Sequence, residues 1–296
     1  MTLAVNNAES HRPLRILPLR FILRSCGMQF PDFSGSVWHG GLGMVLAQQS
    51  STAFHCLYQT HSESRLYALL PPMQSSLPTG EEFELRLTLF GAGVDHALAV
   101  TQAIVELGKI GMKPGGHYET IAAKVASIHA EIPYMSTQQG FITLPRALVA
   151  SDYLTTDTQS AKTYRIQLTT PLRIKEGNNL LRAAPTYEQL LRRIFSRLDQ
   201  IAHAAGEIPP LAKNMRDKFY DEAEQVKIKT SSIALHGLER RSARSGQQMQ
   251  FNGIIGTVDY VGAIQATLPW FKLACLMQLG GKTAFGFGGL KIEVMS

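Results

Sequence analysis

Gly280-Gly281-Lys282-Thr283-Ala284-Phe285-Gly286-Phe287-Gly288-Gly289, followed by Leu290-Lys291-Ile292-Glu293-Val294-Met295-Ser296, is the stretch on which the reading of this chain turns. Five glycines in ten positions remove side chains where the backbone must bend sharply or lie close against something flat or charged. Lys282 sets a cation beside those amides, so the loop reads either as an anion cradle or as a bare hinge. An apolar run at 268–279 precedes it and a strand-like run at 287–294 follows, so the glycines join a helix to a strand. Nucleotide-binding glycines lie in the opposite order, between a strand and the helix that receives the phosphates. Neither GxxxxGK[ST] nor GxGxxG occurs.

Working outward from that loop, the pattern of the second half is strand, helix, two strands, helix, strand. Residues 163–169 read as a strand, 186–204 as an amphipathic helix carrying Glu188, Arg192, Arg193 and Arg197, 227–236 and 249–260 as two strands, and 268–279 as a helix. Residues 211–225 read as an inserted helix. The first half repeats the plan: a β-rich run at 14–26, helical spacing at 38–48, strand candidates at 53–59 and 65–70, an alternating strand at 82–90, a helix at 94–107 stopped by Pro114-Gly115-Gly116, and a strand at 117–129. This order, β-α-β-β-α-β twice, predicts an α+β protein of two tandem ferredoxin-like (RRM-like) domains, residues 1–155 and 156–296, with the boundary in the polar stretch 151–161. The repeat is architectural only, since no residue-level duplication is visible.

A hydrophobic content of 45% with 18% charged residues describes a globular chain long enough for two cores. No apolar run approaches a membrane span and no secretory signal pattern opens the sequence, so a cytoplasmic protein without a membrane partner is expected. Cys26, Cys56 and Cys275 are scattered and lack CxxC spacing, against a disulfide framework or structural zinc. His55, Cys56 and His61 alternate faces if they lie on a strand, and neither a metal nor another cofactor is expected. Up to residue 160 there are 10 lysines and arginines against 12 acids, and from 161 onward 19 against 11. The net charge of +6 is thus concentrated in the half that ends in the glycine loop, as a polyanion partner would require.

In order along the chain stand Phe33-Ser-Gly-Ser-Val-Trp-His-Gly-Gly-Leu-Gly43, Leu69-Leu-Pro-Pro72, Thr170-Pro171-Leu172-Arg173, Leu190-Leu-Arg-Arg-Ile194, Arg240-Arg241-Ser242 with Arg244, Gly253-Ile-Ile-Gly256 and the closing Gly281-Lys-Thr-Ala-Phe-Gly-Phe-Gly-Gly-Leu-Lys-Ile292. By their order and spacing the chain resembles the CRISPR-associated endoribonucleases that process precursor CRISPR RNA, within the repeat-associated mysterious protein (RAMP) superfamily. That resemblance implies a CRISPR repeat RNA, precursor and mature, as the partner, and cleavage at the 3′ base of a stem-loop without a metal ion. The ribose 2′-oxygen would attack the adjacent phosphorus, giving a 2′,3′-cyclic phosphate and a 5′-hydroxyl, with the product retained. It also leaves open a non-cleaving RNA-binding subunit of a CRISPR effector complex, and other subunits of such a complex as partners.

His39 is the candidate general base, because an imidazole exchanges protons near neutral pH and the family's base commonly lies near the start of the first helix; relatives with arginine in this place keep a non-catalytic histidine open. Arg24, at the end of the first strand, is either a phosphate ligand or a surface charge. Arg240, Arg241 and Arg244 crowd one inter-strand connection and read either as phosphate or stem-base contacts, where an anion would offset their repulsion, or as surface decoration; Arg241 and Arg244 are also catalytic candidates. Arg173, Lys175, Arg192, Arg193 and Arg197 would extend a phosphate track unless local acids pair them. Gly280, Gly281, Lys282, Gly286 and Gly288 are the loop's own RNA-binding candidates, and Phe285 and Phe287 either stack on a base or pack under the strand.

Overall fold

The computed structural model describes residues 12–59, 64–127, 130–155, 162–177, 179–241 and 248–295. In the first unit β1 (Arg15–Ser25), α1 (Gly35–Gln49), β2 (Tyr67–Leu70), β3 (Glu82–Phe90), α2 (Ala97–Ile110) and β4 (Tyr118–Ala126) follow one another. Their sheet order is β2-β3-β1-β4, antiparallel throughout, extended beyond β4 by Glu131–Ser136 and Gly140–Phe141. In the second unit β5 (Thr163–Leu172), α3 (Tyr187–Ala205), β6 (Lys227–Arg241), β7 (Gln248–Val261), α4 (Leu268–Met277) and β8 (Leu290–Met295) give the order β6-β7-β5-β8. Both sheets have the ferredoxin-like arrangement in which the first strand lies between the third and the fourth.

Period-two alternation explains the first sheet. Leu19, Phe21 and Leu23 of β1 and Phe83, Leu85 and Leu87 of β3 turn to one face, where Trp38, Leu42, Leu46, Ile104 and Leu107 of the two helices cover them. Each such large side chain contributes roughly 1.5–3 kcal/mol by leaving water. In the second unit α3 is fixed at both ends: Thr186 Oγ1 accepts from the Gln189 amide while Gln189 returns a bond to the Thr186 N–H, and Gly206 closes the helix in the left-handed conformation. Tyr187, Leu190, Leu191, Ile194, Phe195, Leu198 and Ile201 form its buried stripe.

Three sequence expectations change. Residues 53–59, expected as a strand, are helical: Ser51–Phe54 continues into a π-helical turn, His55–Gln59, after Ser50 accepts from the Ala53 amide. The aromatics Phe54 and Tyr58 favour a strand, and the capping serine outweighs them. The hairpin of β6 and β7 is longer than the apolar pattern implied, with pairing from Lys227↔Val261 out to Arg241↔Gln248. Residues 213–224 hold a 3-10 turn, Lys213–Met215, and a short helix, Asp217–Glu224, in place of one inserted helix. No helix among the described residues is long and apolar enough to cross a membrane.

The units are tied across their junction. Arg15 donates to Glu207 at 2.7 Å, the Leu14 amide to the Ile208 carbonyl at 2.9 Å, and Thr88 Oγ1 to the Leu276 carbonyl at 2.6 Å.

Candidate nucleic-acid interface and active site

The glycine loop is where the second unit meets the first helix of the other. Lys282 adopts a left-handed backbone conformation (φ 67°), and a single tight turn, Thr283–Phe285, follows. Gly35, at the start of α1, admits this turn: a Cβ there would stand 2.0 Å from the Phe285 carbonyl oxygen. Gly286, at φ +89°, presses on the Pro71 ring in the same way, so the loop seats between α1 and the segment after β2.

That seating brings Phe285 onto His39. The ring centroids are 4.0 Å apart, with Lys282 Nζ 5.9 Å from the Phe285 centroid. His39 is half-buried, and Tyr67 Oη lies 2.6 Å from its Nδ1, while Tyr58 Oη donates to its backbone carbonyl at 2.8 Å. Burial is the main cause that drives the phenol pKa of both tyrosines upward. Half-exposed imidazole, exposed lysine and half-buried aromatic ring therefore share one rim, drawn from both units. Such a rim can take a proton, hold a phosphate and cover a base or a ribose.

The other expected site residues divide. Gly281 and Lys282 are exposed, but the amides of Gly281, Gly286 and Gly288 donate to the carbonyls of Arg173, Thr283 and Pro171. A cradle of freed glycine amides is thus not formed by these three, and what the loop requires of its glycines is close packing. A Cβ on Gly280 would meet the Arg173 carbonyl at 2.4 Å, and one on Gly288 the Leu279 carbonyl at 1.8 Å. Phe287 is buried edge-on against Phe33, a packing role. Arg173 donates to the Asn252 carbonyl, Lys175 is exposed, and Arg193 reaches the Lys175 carbonyl at 2.6 Å, so these three stand together next to the loop.

Arg24 and Arg192 lie elsewhere, and Arg197 lies inside the protein against the loop's Thr283. Arg24 pairs with Glu82 at 2.8 Å and is seven β3 residues away from Leu89, the partner of Tyr67. That is roughly 23 Å along the strand, too far to serve a phosphate at His39. Arg192 is held by Glu188 at 2.5 Å and lies 3.9 Å over the Tyr220 ring. Arg197, expected on an exposed track, is buried. Its Nη1 donates to Ser64 Oγ at 3.1 Å and its Nη2 to Thr283 Oγ1 at 2.7 Å, and burial pushes its pKa down to about 10. The backbones of Arg240 and Arg241 lie at the far end of β6, and Arg244 falls outside the described residues.

Sequence reasoning missed Tyr58, Tyr67, Ser64 and Thr283. Tyr58 was hidden by the strand reading of its segment. For Arg197 a signal existed: residues 190, 194, 197 and 201 form one helical stripe, and its other members are all apolar. Among the described residues no group of three or more His, Cys, Asp or Glu side chains is arranged to hold a metal ion.

The chain is similar to known proteins in sequence pattern and fold. Residues 166–290 match the family model of the CRISPR-associated endoribonuclease Cas6, and residues 14–142 match a model described as an N-terminal domain. No curated protein matches the chain. Among solved structures, a partial Cas6-RT-Cas1–Cas2 complex aligns with a TM-score of 0.63 at 14% identity, covering 96% of this chain and 47% of that one, so the chain spans about half its length. Thermus thermophilus Cas6 aligns with a TM-score of 0.60 at 12% identity, covering 95% and 99%. A Cas6 product complex aligns with a TM-score of 0.60 at 15% identity, covering 94% and 100%. At these identities the structural likeness speaks for the fold, and the matched model speaks for the likeness of residues 166–290. The Cas6 model thus covers most of the second unit, residues 166–290, and the fold of solved Cas6 structures extends over nearly the whole chain.

Proposed function

We propose that the protein is an endoribonuclease that cuts precursor CRISPR RNA within the repeat, at the 3′ base of a stem-loop, and retains the mature RNA. The observation that carries this reading is the approach of the glycine loop to α1, which sets Phe285 4.0 Å from the His39 ring and Lys282 on the same rim. His39 takes the proton of the ribose 2′-hydroxyl, and the 2′-oxygen forms a bond to phosphorus as the bond to the 5′-oxygen breaks. Lys282 offsets the charge on the phosphorane and offers a proton toward the leaving oxygen. The products are a 2′,3′-cyclic phosphate and a 5′-hydroxyl, and the reaction draws on side chains alone. Arg173, Lys175 and Arg193, beside the loop, supply sequence-independent contacts to the RNA backbone, and the arginines of the β6–β7 hairpin supply further ones. Salt-sensitive contacts of this kind favour retention of the product, to which other CRISPR subunits can then attach.

The test is end-group analysis after incubation of purified protein with its repeat RNA in EDTA. Cyclic-phosphate ends on a single cut product support the proposal. Tightly bound but intact RNA would assign the protein to the non-cleaving RNA-binding subunits.

A further inference from the structure

Arg197 interrupts the apolar stripe of α3. Leu190, Ile194 and Ile201 share its face and are buried, and a leucine or methionine in its place would continue that packing, so the helix itself has no use for a guanidinium there. Its partners supply the reason. Nη1 donates to Ser64 Oγ, in the segment ahead of β2, and Nη2 to Thr283 Oγ1, in the glycine loop, and all three residues are buried. A planar fork with fixed donor directions thus sets the separation of two hydroxyls that belong to different units.

Both hydroxyls lead to His39. Three residues beyond Ser64 stands Tyr67, whose Oη lies 2.6 Å from His39 Nδ1, and two residues beyond Thr283 stands Phe285, whose ring centroid lies 4.0 Å from that of the imidazole. The connections are stiff. In the loop the Phe285 amide donates to the Lys282 carbonyl at 2.9 Å and the Gly286 amide to the Thr283 carbonyl at 3.0 Å, so the turn moves as one piece. On the other side the Phe90 amide donates to the Leu66 carbonyl at 2.9 Å, and Tyr67 enters β2 paired with Leu89 of β3. We infer that Arg197 is a positioning residue: by holding Ser64 and Thr283 at one separation it sets Tyr67 and Phe285, two of the side chains that meet the His39 ring. The guanidinium is too deeply buried to touch RNA itself. Its effect on cutting rests on the proposed role of His39 as the base, whereas its effect on the placement of the ring's neighbours does not.

The placement can be read in the full chain without RNA. An aromatic ring this close displaces the NMR signals of the imidazole protons, so the His39 ring signals, assigned by their loss in His39→Gln, report how closely Phe285 sits. Phe285→Leu gives their position without that ring. Arg197→Met continues the apolar stripe and removes the fork; it is expected to move the signals most of the way to the Phe285→Leu position and to lower single-turnover cutting about 10- to 100-fold with repeat affinity unchanged. A folded Arg197→Met protein with wild-type signals overturns the inference. Thr283→Val, which removes the acceptor at nearly constant volume, is expected to move the same signals in the same direction. Unmoved signals there overturn the inference even if the arginine variant does not fold. Signals that follow Arg197 in a wild-type protein that never cuts RNA would sink the catalytic reading and leave the positioning role standing.

Discussion

Arg197 Nη2 donates to Thr283 Oγ1 at 2.7 Å from inside the protein, and its Nη1 holds Ser64 of the other unit at 3.1 Å. Among the described residues no carboxylate pairs with this guanidinium, and with burial alone lowering its pKa to about 10 it still carries its charge at neutral pH. A buried cation met by two hydroxyls and, at 5.9 Å, the Phe90 ring is costly. Its place explains the cost, because Thr283 opens the turn that sets Phe285 on His39.

Arg197→Lys keeps the charge but gives up the planar fork that spans two hydroxyls. We expect a loss of about 1–3 kcal/mol, read as a lower melting temperature, together with slower cutting at unchanged RNA affinity. A variant as stable and as fast as the wild type would show that the bridge does not hold the loop.

Gly35 and Gly40 make a matched pair on one helix. A Cβ on Gly35 would strike the Phe285 carbonyl at 2.0 Å, whereas one on Gly40 meets nothing within 4 Å. Gly35→Ala should therefore destabilise by about 1–3 kcal/mol and slow cutting, while Gly40→Ala should gain about 0.5–1 kcal/mol in thermal unfolding. Equal effects of the two would contradict the close seating of the loop on α1.

Much of this fold was legible. Period-two alternation at Glu82–Phe90 and the helix read over 186–204 match the structure almost residue for residue. The strand order followed from the alternation of elements, which leaves few ways to cover two sheets. What escaped depends on tertiary partners. Whether a glycine amide faces an anion or a carbonyl is set by residues far along the chain, as Arg173 is from Gly281. Likewise Tyr67 in a buried strand carries no local sign that its hydroxyl meets His39. The reading of His39 came from its place at the first helix, and the structure adds the company it keeps.

Acid should weaken the edge of the first sheet. Arg20 bridges Glu84 on β3 and Glu131 on the neighbouring extension. Burial alone would raise the Glu84 pKa, but its bonds to Arg20 and Arg86 outweigh that and hold it below its ordinary value; Glu131 is lowered chiefly by its bond to Arg20. Carboxylates with depressed folded-state values stabilise above the ordinary value of 4.5 and lose that contribution as pH falls through the lower one. Arg20→Gln should accordingly be less stable than wild type at pH 7, with the gap closing below about pH 4.5. A gap independent of pH would show that the bridge carries no such linkage.

Salt dependence separates residues that hold phosphates from those that only decorate the surface. Lys282→Ala, or Arg241 and Arg244 replaced together, should weaken repeat binding and reduce the slope of log affinity against log salt by about one for each phosphate no longer neutralised. Arg192→Ala, whose charge is held by Glu188 and Tyr220, should leave the slope as it is.

The most direct test of the account is the single-turnover cutting of repeat RNA by His39→Ala beside the wild type, in EDTA, with binding measured on the same samples. Loss of cutting by about 100-fold or more at nearly unchanged affinity is the expected result. Cutting at the wild-type rate would contradict it, and would remove the rim of His39, Phe285 and Lys282 from the chemistry.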